Sequence, residues 1–154
     1  MKRCFYLISF LAILAACKEV YEAPPQALVE AKFINSDSET NAAITSNITV
    51  QGIGVETTWL KDTLLQGIIL PLSPNDTTSF VIKFDSTVDT LTFFHETFKK
   101  YDSMETGFYF DFIIKSVEST HHRIESIQII DSLVTKDWHE NIELYLHPLP
   151  VGSN

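Results

Sequence analysis

Several groups of side chains in this sequence could do chemistry, and each demands a particular geometry. His121-His122 with Glu118 and Glu125 is the densest set of potential metal ligands. Neighbouring residues of a strand face opposite ways, so both imidazoles reach one ion only from a loop. A solvated turn fits the spacing better, and neither a metal nor a cofactor is expected. His95, His139 and His147 stand singly, with no H-x-x-x-H spacing. Asp85 with Asp89, and Asp102 with Glu105, are carboxylate pairs of the kind that hydrolyse glycosides as acid and base when both face one cleft. All four fall in expected turns, where solvated carboxylates are ordinary. Asn75-Asp76-Thr77 with Asp62 lacks the alternating oxygen ligands of a calcium loop, and Gly52-x-Gly54 lacks the third glycine and helix of a dinucleotide loop. No G-x-S-x-G elbow is present to activate a serine. Catalytic residues: none is assigned.

Trp59 and Trp138 are better candidates, for binding rather than catalysis. Both fall in expected connections, and an exposed indole offers a flat apolar face with one donor, suited to stacking on a sugar or anchoring a protein partner. The alternative is that each caps an end of the core. Tyr109 and Ile113 mark either an exposed patch or a second covered face.

The remaining reactive group is Cys17. Lys2 and Arg3 precede an apolar run from Phe5 to Leu14, interrupted only by Ser9, and this reads as a targeting signal. The run is too short for a permanent membrane helix, which needs about 20 apolar residues. At its end, Leu14-Ala15-Ala16-Cys17, followed by Lys18 and Glu19, closely resembles the lipobox of bacterial lipoproteins. That resemblance implies recognition of Leu14, Ala15 and Ala16 by a dedicated signal peptidase, lipid on the Cys17 sulfur and cleavage before it. One acyl chain gives only marginal membrane binding, at about 0.8 kcal/mol per buried methylene, whereas two or three hold a protein permanently.

Cleavage would leave 138 of the 154 residues, an ordinary size for one domain. It would remove two positive charges and no acid, taking the net charge from −9 to −11. Such a surface repels phosphate backbones, so nucleic acid is not an expected partner. The two cysteines are Cys4, in the signal, and Cys17, so no disulfide can brace the mature domain. Its stability must come from an apolar core, which 45% hydrophobic residues with 11 Phe and 5 Tyr can build.

The expected organisation is a signal peptide over 1–16, lipidated cysteine and tether over 17–26, one β domain over 27–150, and a tail over 151–154. The tether, with Pro24-Pro25-Gln26, reaches about 30 Å at roughly 3.3 Å per residue. From Ala27 the dominant period is two. Expected strands cover Ala27 to Phe33, Ile44 to Val50, Gly67 to Leu72, and Ser79 to Asp85. Further strands run around Leu91 to His95, Phe108 to Lys115, Ile124 to Ile130 and Ile142 to Leu146. Helical turns are conceivable at Phe98 to Met104 and Leu133 to Trp138. About eight short strands predict an all-β, two-layer antiparallel β-sandwich of the Ig-like, Greek-key type, with a closed barrel as the alternative.

The order of features also resembles an uncharacterised family of small Bacteroidota lipoproteins built on a domain of unknown function. The resemblance rests on the lipobox cysteine, the Pro-rich tether, Lys32-Phe33-Ile34-Asn35, Gly52-Ile53-Gly54, Ile69-Leu70-Pro71-Leu72 before Thr77-Thr78-Ser79-Phe80, Asp89-Thr90-Leu91-Thr92-Phe93 and Asn141-Ile142-Glu143-Leu144-Tyr145. Many members place a further cysteine beside glycine where this chain has Glu105-Thr106-Gly107-Phe108, so no thiol role carries over. The resemblance implies an envelope location and a β fold, and no activity.

The expected function is therefore a lipid-anchored cell-envelope protein, a non-catalytic interaction or structural module at the outer membrane. The periplasmic face is favoured over the cell surface, because Val20 and Tyr21 interrupt the lysine-plus-acid pattern begun by Lys18-Glu19. Its partner would be an envelope protein or a glycan. The competing expectations are an envelope glycan hydrolase and a carbohydrate-binding lipoprotein using exposed tryptophan.

Overall fold

The structure is a computed structural model, and it describes residues 23, 25–37, 40–41, 47–84 and 86–147. The signal segment, Cys17 and most of the tether lie outside the described residues, as do Ile44 and Asp85.

Every regular element among the described residues is a strand. In order they are β1 (Leu28–Asn35), β2 (Thr40–Asn41), β3 (Ile48–Gly52), β4 (Thr58–Thr63), β5 (Gly67–Pro71), β6 (Thr77–Phe84), β7 (Thr87–Ser103), β8 (Gly107–Ser119), β9 (Ile124–Ile129), β10 (Leu133–Val134) and β11 (Glu140–Leu146). They form two open sheets, so the sandwich expectation holds and the barrel does not. One sheet runs β2-β1-β11-β9, with β5 also pairing with β1. The other runs β10-β8-β7-β6-β3-β4.

Alternation explains the layering. On one sheet Val29, Ala31 and Phe33 of β1, Ile68 and Leu70 of β5, and Ile142, Leu144 and Leu146 of β11 are buried. Facing them are Ile48 and Val50 of β3, Phe80, Ile82 and Phe84 of β6, and Leu91 and Phe93 of β7. Successive side chains of a strand point to opposite faces, so these period-two rows gather on one side of each sheet. Phe33 meets Phe84 edge-on across the core at 5.8 Å between ring centres, a favoured aromatic geometry.

Three features depart from the expectation. The pairing of β1 with β11 is parallel, which joins opposite ends of the domain inside one sheet. Asn141 buttresses that junction: its side-chain oxygen accepts the Glu30 N–H at 3.1 Å and its amide donates to the Leu133 carbonyl at 3.0 Å. Phe98 to Met104 is no helical turn; β7 stays extended through Ser103 because Phe98 to Tyr101 and Ser103 each pair across to β8. Leu133-Val134 likewise pairs with Ile113 and Phe112 as a short strand rather than coiling.

Candidate functional site

Unequal strand lengths create an exposed aromatic end. β6 accompanies β7 only as far as Phe94, and β10 meets β8 only at Phe112 and Ile113. Beyond these points the β7–β8 hairpin has no neighbour in its own sheet among the described residues, yet its alternation continues. The face carrying His95 and Phe112 inside the sandwich runs on through Phe110, Phe108 and Tyr101, because Lys99 pairs with Phe110 and Tyr101 with Phe108. Burial falls along that line. Phe112 is buried and Phe110 half-buried, whereas Phe108 is 55% and Tyr101 58% exposed. The last two rings meet edge-on at 5.4 Å, and the Lys99 ammonium lies 4.2 Å from the Phe108 ring centre, a cation–π contact. At the apex Met104 is 91% exposed. Gly107 closes the turn at φ +78°, a conformation that costs glycine nothing.

Below this stripe lies a cleft of about 280 Å³ between Phe108, Phe110 and Phe112 on one side and Pro25, Trp59 and Leu72 on the other. It is the mouth of the sandwich core, left open where β1 begins and β5 ends while the hairpin continues.

The two tryptophans flank this region differently from expectation. Trp59 is in β4, not in a connection. It is the residue left over where Val50 pairs with Leu60 and Gln51 with Thr58, so a bulge turns its side chain across the sheet edge. Its indole N–H donates to the Ile69 carbonyl of the opposite sheet at 2.7 Å, leaving the ring 49% exposed. Trp138, in the β10–β11 loop as expected, donates to the Gln26 carbonyl at 2.8 Å and is 55% exposed. Each indole thus ties two segments together with its only donor and keeps a flat apolar face in solvent. Neither caps the deep core, and neither has an N–H left for a sugar hydroxyl. Tyr109 and Ile113 are half-buried, Tyr109 against the cleft and Ile113 beside Leu133.

Of the candidate carboxylates, Asp85 lies outside the described residues, and the other three stand in different surroundings. Asp89 belongs to β7 and its side chain is fully buried, not solvated in a turn. One oxygen accepts the His122 N–H at 2.7 Å and the Thr120 hydroxyl at 2.8 Å, and the other accepts the N–H groups of Arg123 at 2.7 Å and Ile124 at 3.0 Å. Burial by itself would raise its pKa. The hydrogen bonds from the His122 and Arg123 backbone, the Thr120 hydroxyl and the Ile124 backbone outweigh that and hold it below the ordinary value. Asp102, about 40 Å away along the strand, accepts the Thr106 hydroxyl at 2.6 Å and pairs with Lys136 at 3.1 Å. Those contacts, the Thr106 hydrogen bond foremost, also depress its pKa. Glu105 is exposed in the apex turn.

The paired histidines complete the Asp89 turn. His121, at φ 55°, directs Nδ1 to the carbonyls of Ile124 and Glu125, while His122 Nδ1 lies 3.2 Å from Asp89. Among the described residues no three metal-ligating side chains gather at one point. His95, buried against the edge of Phe112, bonds to the Thr78 hydroxyl at 3.0 Å. Sequence reasoning missed the Asp89 anchor and the exposed end of the hairpin. Asp89-Thr90-Leu91 carries a signal for the first, since an aspartate in register with core residues must be hydrogen-bonded.

Residues 47–146 match the Family of unknown function (DUF6452). The chain belongs to that family. The DUF6452 span takes in β3 to β11, and with them the hairpin, both tryptophans and the Asp89 turn, while β1, which lies between β5 and β11, falls outside it. No curated protein and no solved structure matches the chain.

Proposed function

We propose that this DUF6452 protein is a non-catalytic β-sandwich module held at the cell envelope by lipid on Cys17, with the open aromatic end as its interaction surface. The observation that carries this reading is where the chain enters the fold. Pro25 and Gln26 line the same cleft as Phe108 and Phe110, so the aromatic end lies at the tethered end of the domain. Two of the carboxylates considered for a glycan hydrolase are engaged otherwise: Asp89 is saturated by donors, and Asp102 is tied to Thr106 and Lys136. An acidic domain of net charge −9 in the whole chain is poorly suited to nucleic acid. The outer membrane, on its periplasmic face, is the location that suits such an anchor and the interrupted Lys18-Glu19 pattern.

Metabolic labelling with a fatty acid in cells producing wild type or Cys17→Ala tests the anchor. Label confined to the wild-type band is expected; equal label in both would overturn the reading.

A further inference from the structure

We propose that the apex of the β7–β8 hairpin, carried by Tyr101, Met104 and Phe108, is a second membrane contact that inserts into the lipid interface beside the acylated cysteine. The inference rests on the lipid-anchor reading and names what the aromatic end meets. Three observations support it.

The first is chemical. The apex presents two aromatic rings and a thioether that no strand among the described residues covers, and Phe98 on the other face of the hairpin is also exposed. The Tyr101 ring suits the head-group level of a bilayer, where an apolar body and a polar tip are both satisfied, and the Phe108 ring and Met104 thioether suit the apolar layer just beneath it. Lys99 and Lys100 sit on the same protrusion as exposed residues. Long stems with terminal ammonium groups can cover apolar surface while reaching phosphate oxygens.

The second is geometric. Cys17 precedes Pro25 by eight residues, a contour of at most about 26 Å. Pro25 touches the cleft lined by Phe108, and Met104, in the turn just beyond the Ser103–Gly107 pair, stands about 7 Å further out along the hairpin. The tether is therefore long enough for the apex to reach the bilayer and too short to carry this end far from it. Tethering converts a weak contact into an intramolecular one at an effective concentration on the order of millimolar.

The third is electrostatic. Within Phe98 to Phe108 the two lysines are balanced by Asp102 and Glu105, and Asp102 is already paired with Lys136. The apex is thus neutral on an acidic protein, which removes the repulsion that the rest of the surface would meet at a lipid interface.

The test uses the lipoprotein purified from membranes and reconstituted into phosphatidylcholine vesicles. On the anchor reading the mature chain has no free thiol, so Met104→Cys supplies a unique site for an environment-sensitive fluorophore, with Gln128→Cys on the exposed edge strand β9 as control. The expected result is a blue-shifted label at 104, quenched at least twofold more by lipids brominated on the acyl chain than the label at 128. Phe108→Asp should weaken that quenching while the protein still floats with the vesicles. A water-like spectrum at 104 in floated protein would overturn the membrane contact while leaving the anchor intact. Failure to float would overturn the anchor and the contact together. Excimer formation between pyrene-labelled copies in place of quenching would assign the apex to a second copy of this chain, which also overturns the proposal.

Discussion

The Asp89 carboxylate of β7 accepts the backbone N–H of Arg123 at 2.7 Å, joining the start of the long hairpin to the crossing between the two sheets. β8 belongs to one sheet and β9 to the other, so the chain must turn over the edge of the sandwich between Ser119 and Ile124. Its backbone N–H groups would be orphaned there without an acceptor. A single fully buried carboxylate takes three of them.

Asp89→Asn should therefore destabilise the fold by about 3 kcal/mol. The amide keeps one acceptor but turns an NH₂ toward backbone donors, leaving them unpaired in a buried site. Equilibrium denaturation of both proteins in urea measures this. A difference within about 0.5 kcal/mol, the range of surface substitutions, would show that the turn holds without the charge.

Two buried groups of opposite charge act on the pH dependence with the same sign. Asp89 has its folded pKa below the ordinary 3.8, so the unfolded chain binds its proton first as pH falls. Its contribution is complete above about 3.8 and is lost as pH drops through the folded value. His95 has its pKa lowered from 6.5 by burial, with Asp76 opposing. The fold prefers the neutral ring, so this contribution too is complete above 6.5 and declines as pH falls through the lower folded value. Thermal unfolding should show Tm falling from pH 6.5 downward and falling further below pH 3.8. Asp89→Asn should make the second decline shallower, leaving the part that the depressed pKa values of Asp102 and Asp131 contribute, and should keep the first; an unchanged profile in the variant would refute the assignment.

Gly67→Ala should loosen the pairing of β5 with β1. A Cβ at Gly67 would stand 2.7 Å from the Ala31 carbonyl oxygen and 3.3 Å from the Lys32 Cα, both backbone atoms that cannot move aside cheaply. Overpacking of this kind costs about 1–3 kcal/mol. Faster amide hydrogen exchange should appear at Leu70, Ile69 and Ile68, with β7 and β8 unchanged. Slower or unaltered exchange across β5 would contradict the close approach.

Much of the architecture was legible because burial on one face imposes a period of two. Phe80, Ile82 and Phe84, or Phe108, Phe110 and Phe112, announce strands whatever their neighbours are. Trp59 was misplaced because the bulge in β4 interrupts that period, so Thr58-Trp59-Leu60 does not read as alternation. Phe98-Lys99-Lys100-Tyr101 hid its strand for another reason: its pattern is polar where core residues are expected, since no sheet among the described residues faces that part of the hairpin. The parallel pairing of β1 with β11 left no local trace, because a contact such as Phe33 with Leu144 spans most of the chain.

By itself the sequence determined the class of the fold and the direction each side chain takes from its own strand, since alternation is a local property of extended backbone. It also carried the grounds for expecting lipid on Cys17, which lies outside the described residues. Only the tertiary structure decided that Asp89 is an anchor rather than an acid, and that both indole donors are already used. It also showed that one aromatic stripe runs from the core into solvent. Those outcomes depend on which strands stop short beside others, a relation between distant segments that no local pattern encodes.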